Sequence, residues 1–153
     1  MSTQKNFDVK RYLGKWYEIA KYKFKWEIGC AFSMAEYSWN DGILNVKNTC
    51  LDENRKPLYS RSAIAVPNAN DPSKLKIDFN DGLPSDPVGN YWVHWTDYDN
   101  YSIVGGPEKK FLWILSRTPE ISAEEALMLL NKVSTFGYDS EKLVANPKVL
   151  KRK

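Results

Sequence analysis

Between Gly14 and Arg117, turn residues cut the chain into eight short segments, each with the alternation or the β-branched and aromatic content of a strand. The segments are 16–23, 31–39, 43–51, 58–66, 74–79, 90–96, 101–104 and 110–117. Asn40-Asp41-Gly42 is a strong hairpin signal, since Asp-Gly favours the tight turn that matches strand twist. Segment 74–79 alternates cleanly, with Leu75, Ile77 and Phe79 set against Lys76 and Asp78. Short antiparallel strands with short connections leave exposed edges unless the sheet closes on itself. The expectation is therefore an all-β chain, an eight-stranded antiparallel up-and-down β-barrel, with room inside for side chains or one small ligand.

The pattern then changes period. Ser122 and Glu125 form a capping-box pair, followed by Ala126, Leu129, Leu130, Val133 and Phe136 at helical spacing, with Gly137 suited to the C-terminal cap. This predicts one α-helix over 122–136 on the outside of the barrel, with Ala126, Leu130 and Val133 above outward-facing Leu112 and Ile114, and a tail over 137–153. Lys148, Lys151, Arg152 and Lys153 read as a solvated tail. With no linker and no internal repeat, residues 1–153 read as one domain.

If the first strand runs upward from a closed end, its start, the turn between strands six and seven, and the end of strand eight all lie at that end. Gly14 and Trp16, then Thr96-Asp97-Tyr98, then Arg117 occupy those places. Trp16 would plug the base, Arg117 would lie on its indole and donate to carbonyls, and Asp97 would cap the turn through backbone N–H groups. Phe7 to Leu13 would close the bottom as a helical turn.

Gly14-Lys15-Trp16-Tyr17-Glu18-Ile19-Ala20, Thr96-Asp97-Tyr98 and Arg117 within Leu112-Trp113-Ile114-Leu115-Ser116-Arg117-Thr118-Pro119 resemble the three signature blocks of the lipocalins. The likeness covers essentially the whole chain and is greatest to the bacterial, plant temperature-induced and apolipoprotein-D-like branch, which Phe136-Gly137-Tyr138-Asp139 also resembles. It implies a calyx with an external C-terminal helix that carries a fatty acid, a lysophospholipid or another small hydrophobic molecule. The bacterial branch typically carries a lipobox cysteine near its N-terminus, and none stands in that part of this sequence.

Alternation proposes a ligand-binding lining of Ala35, Tyr37, Leu44, Val46, Ala63, Ile77, Phe79, Tyr91, Val93, Trp95, Val104, Phe111 and Trp113. Six Trp, nine Tyr and six Phe suit such a pocket, and they suit a filled core equally well. Burying eight to ten methylenes at about 0.8 kcal/mol each would support micromolar binding after association costs. Phe24, Lys25 and Trp26 would sit at the mouth and could meet a headgroup or a membrane surface.

Cys30 and Cys50 flank the hairpin turn symmetrically, yet simple alternation puts them on opposite faces. A disulfide needs a bulge or a loop position for one of them; two buried thiols are the alternative. A net charge of +3 gives no reason to expect nucleic acid. With His94 the single histidine, triads and multi-histidine metal sites lack parts, so the expectation is no enzyme, no metal and no cofactor. His94 reads as a neutral structural residue or else a pH switch. An enzyme using Cys30 or Cys50, and a filled barrel acting as an interaction module, are the competing readings. The expected assembly is a monomer or weak dimer. The first residues lack an apolar signal region, which leaves a leaderless intracellular chain or a processed extracytoplasmic one.

Overall fold

The computed structural model describes residues 2–22, 29–78 and 89–151. A short helix, α1 (Val9–Tyr12), precedes eight strands: β1 (Gly14–Lys21), β2 (Phe32–Asn40), β3 (Ile43–Leu51), β4 (Pro57–Pro67), β5 (Lys74–Ile77), β6 (Tyr91–Thr96), β7 (Tyr101–Gly105) and β8 (Leu112–Ser116). They form a closed antiparallel barrel in chain order, and β8 pairs back onto β1. The longer helix α2 (Ala123–Thr135) follows, then two 3-10 turns at Ser140–Lys142 and Pro147–Val149.

The barrel wall separates two apolar layers. Inside lie Trp16, Tyr12, Tyr37, Leu44, Val46, Ala65, Leu75, Ile77, Tyr91, Val93, Val104, Trp113 and Leu115. Outside, Ile103, Leu112 and Ile114 pack against Leu129 and Val133 of α2, each pair of layers sharing one strand backbone. The Ser122–Glu125 capping box starts α2, with Glu125 N donating to Ser122 Oγ at 3.1 Å and Ser122 N to Glu125 Oε1 at 2.9 Å. Leu129, not Leu130, takes the central place against the wall: Leu130 is 36% exposed, Leu129 1%.

Two bulges rearrange which residues face inward. In β1 the register shifts between Glu18 and Ala20, so Ile19 and Ala20 both join the outer layer. In β6 it shifts between Val93 and Trp95. An extra residue in one strand breaks the two-residue period, and Trp95 consequently packs with the outer layer, under Lys132 Nζ at 4.4 Å from its ring. The expectation that Trp95 lines the interior is corrected: simple alternation cannot foresee a bulge.

The segment after α2 is tied down rather than a free tail. Lys21 and Val144 exchange two backbone hydrogen bonds, and Ile121 pairs with the 149–151 segment. Tyr22 Oη donates to Asp139 O at 3.1 Å and accepts from Asp139 N at 2.8 Å. Lys148 Nζ lies 3.4 Å from Glu53, while its carbonyl accepts from Arg55 Nη2 at 3.2 Å. Lys148 and Lys151 are exposed, as a solvated segment requires, while Lys151 N donates to Ile121 O; Arg152 and Lys153 lie outside the described residues.

Candidate functional site: a calyx closed at one end

The closed end is built from the three sequence islands. Gly14 has φ +100, a conformation that side-chain-bearing residues avoid, and an added Cβ would sit 3.4 Å from Arg117 Nη1. Trp16 is fully buried, and its Nε1 donates to Tyr12 O at 2.9 Å. The Arg117 guanidinium lies 3.7 Å above the Trp16 ring. It also donates to Tyr98 O (2.9 Å), Lys15 O (2.7 Å) and Arg11 O (3.2 Å). One side chain therefore joins strand β1, the α1 segment and the β6–β7 turn.

That turn is held by its own side chains. Asp97 Oδ1 accepts from Asn100 N and Tyr101 N at 2.9 and 2.8 Å, and Thr96 Oγ1 accepts from Tyr98 N at 2.9 Å. These bonds fix Tyr98 at φ 63, from where its hydroxyl accepts Asp8 N at 3.0 Å. The Asp8 carboxylate in turn caps α1 through Lys10 N and Arg11 N.

Above this floor lies a hollow of about 70 Å³, opening into a mouth. Of the expected lining, Ala35, Tyr37, Val46, Ile77, Tyr91 and Trp113 face it. Leu44, Val93 and Val104 are buried in the interior layer without reaching the hollow, and Ala63 and Phe111 are partly buried against that layer. Phe79 and the mouth residues Phe24, Lys25 and Trp26 lie outside the described residues.

The floor fills the lower barrel with rings. Tyr12 Oη hydrogen-bonds Ser102 Oγ at 2.7 Å, and the Tyr37 and Tyr91 hydroxyls bond each other. Tyr12 and Tyr37 meet edge-on at 5.3 Å, and Trp113 lies 5.9 Å from Tyr91. Burial pushes the Tyr37 phenol up to about 12 and holds Tyr12 and Tyr91 well above the usual tyrosine value. These phenols stay neutral and offer a ligand hydrogen bonds only.

The upper wall is more polar than the apolar reading allowed. Glu18, Ser33, Asn48, Thr49, Tyr59 and Arg61 line it, with Leu115 and both cysteines. The signal was present: Asn48 pairs with Arg61 and Cys50 with Tyr59, continuing upward the inward parity of Leu44 and Val46. Stopping the alternation at the last apolar residue hid them. Glu18 faces inward with the parity of Trp16, just before the β1 bulge, and its carboxylate lies 3.4 Å from Lys21 Nζ.

Cys30 and Cys50 form a disulfide with Cα atoms 5.3 Å apart. Cys50 stands in the β3 ladder opposite Ser33, and Cys30 precedes β2, which supplies the loop position that alternation demanded. The bonded pair has no thiolate to act as a nucleophile. His94, 2% exposed, accepts at Nε2 from the Tyr138 hydroxyl (2.6 Å) and donates from Nδ1 to Ser2 O (2.7 Å) on the outer wall, away from the hollow. Burial lowers its pKa, with the Ser2 carbonyl opposing that shift. Among the described residues, no group of three or more His, Cys, Asp or Glu side chains is placed to hold a metal ion.

The sequence matches the family model described as Lipocalin-like domain over residues 7–148. It is 36% identical to Temperature-induced lipocalin-1 of Arabidopsis thaliana, covering 96% of this chain and 82% of that one. Apolipoprotein D of Mus musculus is 34% identical, over 92% of this chain and 76% of its own. Outer membrane lipoprotein Blc of Escherichia coli (strain K12) is 36% identical, over 91% and 78%. Among solved structures, insecticyanin from the tobacco hornworm superposes with a TM-score of 0.69 at 24% identity, covering 95% of this chain and 83% of that one. Lobster apocrustacyanin A1 gives 0.68 at 20%, covering 90% and 78%.

Proposed function

The chain belongs to the lipocalin family, and from that premise we propose that it carries a small hydrophobic ligand with a single acyl chain, a fatty acid or lysophospholipid. The observation that supports this is the open hollow over an aromatic floor, walled by Ala35, Val46, Ile77, Tyr91 and Trp113. In this reading those residues take the end of the chain, and the polar upper wall meets the headgroup. The family is one of binding and transport proteins, and no residue of the hollow is assigned a catalytic role.

Tyr12, Tyr37 and Tyr91 fill the depth of the barrel, so an acyl chain would enter only the part above them.

The test is titration with a fatty acid while following tryptophan fluorescence, because Trp113 borders the hollow. Quenching that saturates near one ligand per chain is expected. Ala35→Phe, which fills the hollow from β2, should weaken binding about tenfold or more, since each lost methylene contact costs about 0.8 kcal/mol. Saturable binding undiminished in this variant would refute the proposed position; no binding of any single-chain lipid would favour the filled-barrel reading.

A further inference from the structure

In the eight-stranded ring β2 and β6 stand four places apart, on opposite sides of the bore. Tyr37 on β2 and Tyr91 on β6 nonetheless hydrogen-bond to each other through their hydroxyls, so this bond crosses the barrel interior. Both side chains are 5% exposed, and both border the hollow. Their surroundings are apolar: Val46 stands opposite Tyr37 in the ladder, Leu75 opposite Tyr91, and the Trp113 ring lies 5.9 Å from that of Tyr91. Tyr12 and Ser102 form a second hydroxyl pair, but neither borders the hollow. A molecule entering the bore therefore meets the Tyr37 and Tyr91 hydroxyls at its leading end.

This pair holds one more hydrogen than it uses. Each phenol brings one O–H donor, and burial keeps both of them protonated at neutral pH. Whichever hydroxyl donates to the other, the accepting one retains its own hydrogen. No further hydrogen bond to either oxygen exists among the described residues. The Glu18 carboxylate borders the same hollow and bonds to neither phenol. A buried donor without an acceptor costs free energy, which an oxygen brought in by a ligand recovers.

We propose that the Tyr37–Tyr91 pair reads the buried end of the ligand, and that it favours a chain ending in a neutral oxygen acceptor, such as a ketone, over one ending in plain hydrocarbon. The inference rests on the carrier reading, in which the chain end points toward the floor. A hydrocarbon end leaves the spare hydrogen unpaired. A carbonyl end loses its water on entry and is compensated only if a hydroxyl stands ready to donate. Each side thus supplies what the other lacks, and a site of this kind discriminates against the analogue without the polar atom.

The experiment titrates the whole protein by calorimetry with palmitate and with 15-oxopalmitate, which share length and carboxylate and differ by one carbonyl near the far end. It is repeated on Tyr37→Phe/Tyr91→Phe, which keeps both rings and removes both hydroxyls, so that no orphaned donor remains in the fold. A single Tyr→Phe change would leave one phenol still able to donate. The preference for 15-oxopalmitate, as the ratio of the two dissociation constants, should fall about tenfold in the double variant. The same ratio in both proteins, or a wild type that binds palmitate alone, overturns the proposal and leaves the calyx reading standing. A wild type that binds neither probe ends both. A second measurement needs no variant: the infrared C=O stretch of carbon-13-labelled 15-oxopalmitate bound to the wild type should lie below its position in hexane, and a band at the hexane position overturns the proposal.

Discussion

Replacing Arg117 by Ala should cost stability and spare the ligand. Three hydrogen bonds from one guanidinium and its contact with the Trp16 ring are lost together. The carbonyls of Lys15 and Arg11 face solvent and regain water, so each loss is worth about 0.5 kcal/mol. Tyr98 O is partly buried and costs more, about 1.5 kcal/mol, and the cation–π contact adds about 1 kcal/mol. The expected loss is about 3 to 4 kcal/mol, which at about 2–4 °C per kcal/mol for a chain of this size lowers the melting temperature by about 10 °C. Arg117→Lys keeps the charge over the indole but not the three-way fork, and should recover about a third of the loss. A double-mutant cycle with Trp16→Leu should show a coupling of about 1 kcal/mol. The assay is urea unfolding followed by circular dichroism, with fatty-acid titration alongside. A loss below about 1 kcal/mol, or loss of lipid binding at unchanged stability, would refute the assignment of these residues to the closed end.

Gly105→Ala should destabilise strongly, by about 3 kcal/mol, because the new Cβ would stand 2.0 Å from the Tyr138 hydroxyl and 3.0 Å from His94 Nε2; thermal unfolding reads it, and a neutral effect would mean that Tyr138 does not reach His94. His94 is kept neutral by burial, with a folded pKa below the 6.5 of the free side chain. Its contribution is therefore intact above that value and is lost as pH falls through it toward the folded pKa, since only the unfolded chain takes up the proton. Unfolding curves from pH 7.5 to 5 should show stability falling below about 6.5 in the wild type and a flatter profile in His94→Gln. Reducing the Cys30–Cys50 bond, which closes a loop with a sequence separation of 20, should cost about 3 kcal/mol; unfolding with and without a thiol reductant measures it, and Cys50→Ser should show no reductant effect.

Strands were legible where turn residues marked their ends. Ile43–Leu51 needed no correction because Asn40-Asp41-Gly42 fixes its start and the polar 52–56 loop its end. The closed end was legible for a related reason: strand direction alternates, so parity of count places Trp16, Asp97 and Arg117 together without knowledge of any contact. What failed was parity within a strand. The β6 bulge carried Trp95 outward and the β1 bulge carried Ala20 outward, and neither leaves a mark in a sequence whose neighbours on both sides are bulky, whereas Glu18 keeps the parity of Trp16. Polar residues of the upper wall were missed because a search for apolar lining passes over Asn48 and Arg61, although their register follows directly from Val46 and Ala63. Leu129 and Leu130 are adjacent and identical in kind; only the tilt of α2 on the wall decides between them.

Because Tyr17 pairs with Ser116, the first strand waits for the last. A nascent chain emerging from the ribosome can form its hairpins in order, but it displays the open edge of β1 until residues 112–116 have been made. Contacts so distant in sequence slow the final step. Over that interval the protein is a sheet with a sticky margin, and its exposure to misassociation is set by how fast the end of the polypeptide is delivered rather than by the stability of the finished fold.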